Sequence, residues 1–331
     1  MSKHENLQKG LPVALLGFSS IVLPAALTLN TIKQPGTLQI PTDNPSPLGY
    51  TTSLLLFIMP GALLLLWLLR RKEAPIERKA FFATLVAVFG VGCILDFVFA
   101  YKFFTYTNRG ATLGIRLPAL DVSTFRWVPD YLPIEEFGFY IFGAFFMLGL
   151  YVWADLSWMP HRKHAKNPKV WAGEFDKPVI KFDWRVALVG VLVCALAVLY
   201  RKLFVSDPGF PGYFIFLMCI GFIPTTMMLE TAGPLINWQA FTLMFSVLQM
   251  VSLLWEASLG VPYNWWNYHH NEMIGVFIGA WAQLPMESVL MWILGGWATV
   301  IAYEQFRLIF YHRALIEAAS RAAKNESTTL N

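Results

Sequence analysis

Charge is scarce in this chain. Only 14% of its 331 residues are Asp, Glu, Lys or Arg, against roughly 25% in a soluble domain. No stretch between the apolar runs is long enough to fold as a separate soluble domain, so an ordinary globular enzyme is excluded. Cysteine is scarce too. Cys93, Cys194 and Cys219 fall inside apolar runs without CxxC or Cys/His spacing, which argues against a disulfide framework or a cysteine-ligated metal. No Asp-rich DDxxD pair and no nucleotide or redox motif is present. No lysine lies deep in an apolar run where a Schiff base would need it; Lys102 and Lys202 sit at the ends of runs. His269-His270 near Glu272 falls in a polar loop, the ordinary home of such residues, so neither metal nor cofactor is expected.

Apolar sequence is abundant, at 56% hydrophobic and 16% aromatic residues. Eight runs have the length of roughly 18–25 residues needed to cross a bilayer, at about 12–30, 50–69, 80–101, 131–153, 185–204, 211–233, 238–259 and 281–303. The first follows a polar segment without a clear small-residue cleavage site, so it reads as a retained helix. The Lys/Arg excess lies in the loop carrying Arg70-Arg71-Lys72, in the stretch from Arg162 to Lys181, and after Arg307. This distribution reports membrane orientation rather than nucleic-acid binding, and it places both termini in the cytoplasm. The expected fold is an all-α, multi-pass protein of the cell membrane.

The chain also repeats itself. With an offset of 160, Ala80-Phe81 aligns with Ala240-Phe241 and Asp96 falls on Glu256. Each acid is followed by an aromatic loop, holding Tyr101, Phe103, Phe104 and Tyr106 in one case and Tyr263, Trp265, Trp266 and Tyr268 in the other. Each loop leads to a small Gly patch and then to a Pro-x-Glu motif, Pro133-Ile134-Glu135-Glu136 or Pro285-Met286-Glu287-Ser288. Upstream, Met59-Pro60 matches Ile223-Pro224. The reading is two four-helix repeats of parallel topology, residues 1–155 and 185–310, joined by a basic cytoplasmic linker over 156–184 and followed by a cytoplasmic tail over 311–331. The spacing predicts Pro at the first helical position of spans four and eight, with the acids about one turn inside.

Ionisable groups within a span are expensive and therefore functional-site candidates. Loop charge puts Asp96, Glu135, Glu136, Glu256 and Glu287 in one layer near the outer surface. Crowded carboxyls in a low-polarity site cannot all ionise, so a proton is held among them. A held proton beside aromatic faces suits protonation of an alkene, because ring quadrupoles stabilise a cation. Phe139, Tyr140, Trp255, Trp265 and Trp292 are the candidate substrate contacts. Tyr140 and Trp292 stand four residues after Glu136 and Ser288, on the same helix face.

Two Pro-x-Glu motifs, each preceded by a helix with an acid and an aromatic loop, resemble the membrane-integral lycopene cyclase family, which includes bacterial heterodimeric cyclases and fungal cyclase–phytoene synthase fusions. The resemblance covers about 50–155 and 210–305. It implies redox-neutral cyclisation of a linear carotenoid end by proton addition and loss, without cofactor. The substrate would be a hydrophobic polyene drawn from the bilayer, and other carotenoid-pathway enzymes would be partners. Glu135 and Glu136 match the family's acid pair and Glu287 the first acid of the second pair, while Asp96 and Glu256 would tune the pair by charge. Ser288 stands where the second pair has Glu, each half carries an extra helix, and the halves are fused. A carotenoid hydratase or membrane terpene cyclase is the neighbouring alternative. A proton-coupled transporter, which also uses repeats and intramembrane carboxylates, would place them nearer the midplane.

Overall fold

A computed structural model describes residues 46–70, 77–159 and 180–329. The expected first span, at about 12–30, and most of the basic linker lie outside these residues. Helix α1 runs from Gly49–Ser53 through a π-helical turn, Leu54–Ile58, into Met59–Arg70. It is followed by α2 (Arg78–Phe103), α3 (Glu135–Leu156), α4 (Trp184–Phe204), α5 (Gly212–Met227), α6 (Leu229–Leu235), α7 (Trp238–Gly260) and α8 (Met286–Thr329). Five of these, α2, α3, α4, α7 and the Met286–Ala318 part of α8, are long and apolar enough to cross a membrane. The pair α5–α6, bent by 44°, supplies a sixth if it counts as one span. The apolar part of α1, Gly49–Leu64, is shorter. Such helices suit a membrane-embedded protein, since a helix satisfies its own backbone hydrogen bonds where water is absent.

Local chemistry sets several boundaries. The Asn237 side chain accepts from Ala240 N at 3.3 Å and caps α7, and Asp183 accepts from Arg185 N at 2.9 Å and caps α4. In α5, Pro224 supplies no backbone N–H, and Thr225 Oγ1 donates back to Gly221 O at 2.7 Å, a bond that bends helices. The acids Asp96 and Glu256 lie in π-helical turns, Leu95–Phe99 and Glu256–Gly260, geometry that occurs often at functional sites.

Two expectations are corrected. The fold is mostly helical but not purely so, because the 102–130 loop contains an antiparallel hairpin, β2 (Arg116–Asp121) with β3 (Arg126–Pro133). Its turn is set by Asp121, whose carboxylate accepts from Ser123 Oγ at 2.5 Å, from Thr124 Oγ1 at 2.8 Å and from Ser123 N at 2.9 Å. These bonds hold the exposed carboxyl below its ordinary range. Short strand pairs also join β1 (Phe104–Thr105) to β4 (Asn267–Tyr268) and β5 (Phe277–Ile278) to β6 (Leu284–Pro285). Second, neither proline opens a helix. Pro133 ends β3 and Pro285 ends β6, where a missing N–H is equally harmless. The acids therefore stand in the first turn, Glu135 and Glu136 at the first two positions of α3 and Glu287 at the second of α8.

Gly114 and Gly275 both have positive φ, +80° and +94°. At Gly114 a Cβ would meet open space. At Gly275 it would lie 2.6 Å from both Arg201 Nη1 and Val205 Cγ2. Gly114→Ala is expected to cost about 1–2 kcal/mol from the backbone alone, and Gly275→Ala distinctly more. Thermal melts of the two variants in detergent check this order; equal losses would show that the backbone term alone decides.

Roughly 24 Å along α3 from Glu135, a buried polar network ties the two halves of the chain together. Tyr151 OH donates to Glu304 Oε1 at 2.8 Å, and Arg307 Nη1 reaches both Glu304 oxygens at 3.0 and 2.8 Å. Asn237 N donates to the Tyr151 phenol oxygen at 3.1 Å, and Asn237 Nδ2 donates to Asp155 Oδ1 and to the Met159 carbonyl, each at 2.9 Å.

Candidate active site

The first turns of α3 and α8 and the π-helical turns of α2 and α7 bring the five predicted carboxylates into one buried region. Glu136 is close enough to Asp96, Glu135 and Glu256 for their charges to interact. The Tyr213 phenol feels Glu256, Glu287, Asp96 and Glu136 together.

The five acids fall into two kinds. Glu135 Oε1 accepts from Thr51 Oγ1 and Leu113 N, both at 2.6 Å. Glu287 Oε1 accepts from Ile274 N. Each ties a loop residue just before a positive-φ glycine to the start of a helix. Arg116 lies near Glu135 and Arg201 near Glu287 as counter-charges. Glu136, Asp96 and Glu256 are instead held by phenols. Tyr50 OH donates to Glu136 Oε1 at 2.7 Å, Tyr140 OH to Asp96 Oδ1 at 3.0 Å, and Tyr268 OH to Glu256 Oε1 at 3.4 Å. Among the described residues, one oxygen each of Asp96 (Oδ2), Glu256 (Oε2), Glu135 (Oε2) and Glu287 (Oε2) has no hydrogen-bond partner. A fully charged cluster with oxygens so poorly served is costly in an apolar site, which favours shared protons.

Glu136 and Glu256 line a small chamber of about 60 Å³. Five phenols, Tyr50, Tyr106, Tyr140, Tyr213 and Tyr268, share its wall with the rings of Phe139, Trp255 and Trp266. Burial, and then the charges of Glu136 and Glu256 respectively, push the Tyr106 and Tyr268 phenols up, so both remain O–H donors. A larger apolar cleft of about 230 Å³ adjoins the chamber, sharing Leu95, Phe139, Tyr140 and Met291 with it. It runs between α2, α3, α5 and α8.

The predicted aromatic contacts divide. Phe139, Tyr140 and Trp255 line the chamber. Phe139 stacks on Trp255 at 5.7 Å and meets Trp292 edge-on at 5.3 Å. Trp292 lines the clefts rather than the chamber. Trp265 lies outside the chamber lining; it stacks on Tyr50 at 5.8 Å and donates to Ser46 Oγ at 3.0 Å, so it braces the phenol that holds Glu136. Tyr140 sits over Gly92, where a Cβ would come within 2.6 Å of its ring. Tyr50 and Tyr213 are the residues that motif reading missed. A signal for them exists, since they are 163 positions apart and each lies at the start of an apolar run.

Comparison with protein-family models, with curated proteins and with solved structures finds no match to this chain.

Proposed function

We propose that this chain is a membrane-embedded carotenoid end-group cyclase acting on a linear polyene such as lycopene. The observation that carries the reading is Glu136: a carboxyl held by a phenol, close to two further acids, in an aromatic chamber that adjoins an apolar cleft. A proton from Glu136 adds to the terminal alkene of the end group and leaves a tertiary cation between ring faces. The neighbouring double bond supplies the electron pair that closes the ring and moves the cation onto it. Loss of an adjacent C–H proton to Asp96 or Glu256 restores an alkene, and transfer within the acid cluster returns the proton to Glu136. Atoms and charge balance, and the product is an isomer of the substrate. Glu135 and Glu287 position the helix starts.

The same proposal includes eight spans in two parallel repeats, with both termini on the cytoplasmic side of the cell membrane. Matched features support the repeat: the π-helical turns at Asp96 and Glu256, the positive-φ glycines 114 and 275, and the backbone N–H groups of Leu113 and Ile274 that Glu135 and Glu287 accept. The substrate enters from the bilayer, and other enzymes of carotenoid synthesis are the partners expected to supply it.

Expression in a lycopene-accumulating bacterial strain tests the activity, with pigments separated by chromatography and weighed by mass spectrometry. A cyclic product of unchanged mass is expected. A product heavier by one water would make the chain a hydratase, and unaltered lycopene would remove this substrate from the reading.

A further inference from the structure

The open cleft has a counterpart at the positions related to it by the repeat. A narrow space of about 20 Å³ lies between α1, α3, α7 and α8. The repeat offset of 160 carries Val88, Val91, Gly92 and Leu95 of the open cleft onto Leu248, Val251, Ser252 and Trp255 of the narrow one. On the Pro-x-Glu helices an offset of 152 carries Phe146 of the narrow space onto Ala298 of the open cleft. All four exchanges among these five position pairs put a bulkier residue in the narrow space, and two of them bring in an aromatic ring. Trp255 stands where the open cleft has Leu95, and Phe146 where it has Ala298. The asymmetry extends to the acids, because the same 152 offset sets Ser288 in place of Glu136.

We propose that the 230 Å³ cleft is the channel for the polyene chain, that Trp255 and Phe146 seal its counterpart, and that the protein engages one end of a two-ended substrate per binding event. The inference rests on the proposed cyclase reading and goes further in assigning path and stoichiometry. Dimensions agree with it. Met291, beside the chamber, and Ala302, at the far end, are three helical turns apart, about 16 Å, so the cleft takes roughly half of a chain comparable to the ~30 Å hydrocarbon layer. The cleft walls are almost wholly apolar, and Gly143, Gly221 and Gly295 keep the helices free of side-chain bulk. At Gly143 an added Cβ would meet nothing within 4 Å, and at Gly221 and Gly295 only ordinary contacts. An extended conjugated chain bearing only methyl branches is the occupant that fits a long apolar slot beside a proton donor.

The test uses the full chain in lipid nanodiscs with lycopene as probe. Binding is read from the circular dichroism that an achiral polyene acquires in a chiral site, and turnover from the time course of one-ended and two-ended products. Ala298→Phe, which copies the seal, is expected to weaken both binding and turnover at least about tenfold. Ala298→Leu should fall between it and the parent, and carries the test should the larger ring prevent folding. Phe146→Ala, in the narrow space, should leave both unchanged because Trp255 still closes it. The one-ended product should leave the protein before any two-ended product forms. A folded Ala298→Phe with full lycopene binding would overturn the channel, and two-ended product appearing without a lag would overturn the one-end stoichiometry. Lycopene bound in a manner sensitive to Ala298→Leu but never converted would uphold the channel while removing the cyclase reading.

Discussion

Glu136→Gln is expected to lower turnover by about 10²–10⁴-fold, the range for losing a positioned proton donor, with little change in thermal stability. Gln keeps the shape and can still accept from Tyr50 OH, the 2.7 Å bond that holds the carboxyl. It has no acid proton to give. Glu135→Gln separates the two kinds of acid. Its Oε1 is already committed to Thr51 and Leu113, and a Gln oxygen can accept both bonds. The sequence motif treats the pair as equals, but the geometry predicts a modest loss at Glu135 and a severe one at Glu136. Glu256→Gln, which removes a carboxylate from the chamber, should fall between them. The measurement is turnover of the linear substrate together with a melting curve for each variant. Full activity in Glu136→Gln would sink the mechanism; equal losses at both positions would show that Glu135 acts in the chemistry as well.

The largest effect on stability is expected at the opposite end of the helices. Arg307→Met should cost about 3–5 kcal/mol, because it strips the guanidinium from a buried Glu304. The pair lies at 2.8 Å with both side chains out of solvent. Desolvating two charges is costly in itself, so Glu304→Met with Arg307→Met in one chain should recover much of the loss. Thermal melts of the two singles and the double form a closed cycle. A double variant no better than Arg307→Met would show that the network, through Tyr151 and Asn237, needs the carboxylate for more than its partner charge.

Much of this arrangement was legible in the sequence where the physics is one-dimensional. Apolar runs of bilayer length mark helices because every backbone group in lipid must pair within its own segment. The ends moved by a few residues, as with 131–153, which became Glu135–Leu156. The hairpin at 116–133 was hidden, because its residues alternate weakly and its register depends on contacts made across the loop. The proline reading failed for a related reason. Pro suits the end of a strand as well as the start of a helix, and sequence spacing cannot separate the two. The five acids met as the repeat suggested, but their division into loop anchors and chamber residues depends on which oxygen finds which donor. Tyr50, contributed by a helix 86 residues before Glu136, shows only through its place at the start of an apolar run, matched by Tyr213.

The cross-connections between the halves also set the order of events while the chain is being made. Phe104 pairs with Tyr268, Ser53 Oγ accepts from Trp255 Nε1 at 3.0 Å, and Tyr50 packs against Trp265 and Trp266. Tyr268 leaves the ribosome about 160 residues after Phe104, a delay of roughly 8–30 s at about 5–20 residues per second. During that interval Asp96 and Glu136 sit in the bilayer without half of their chamber. The first half therefore waits as an unfinished product, vulnerable to proteolysis and to premature pairing with another nascent chain. Carrying both sets of contacts on one chain limits that wait to the time of translation.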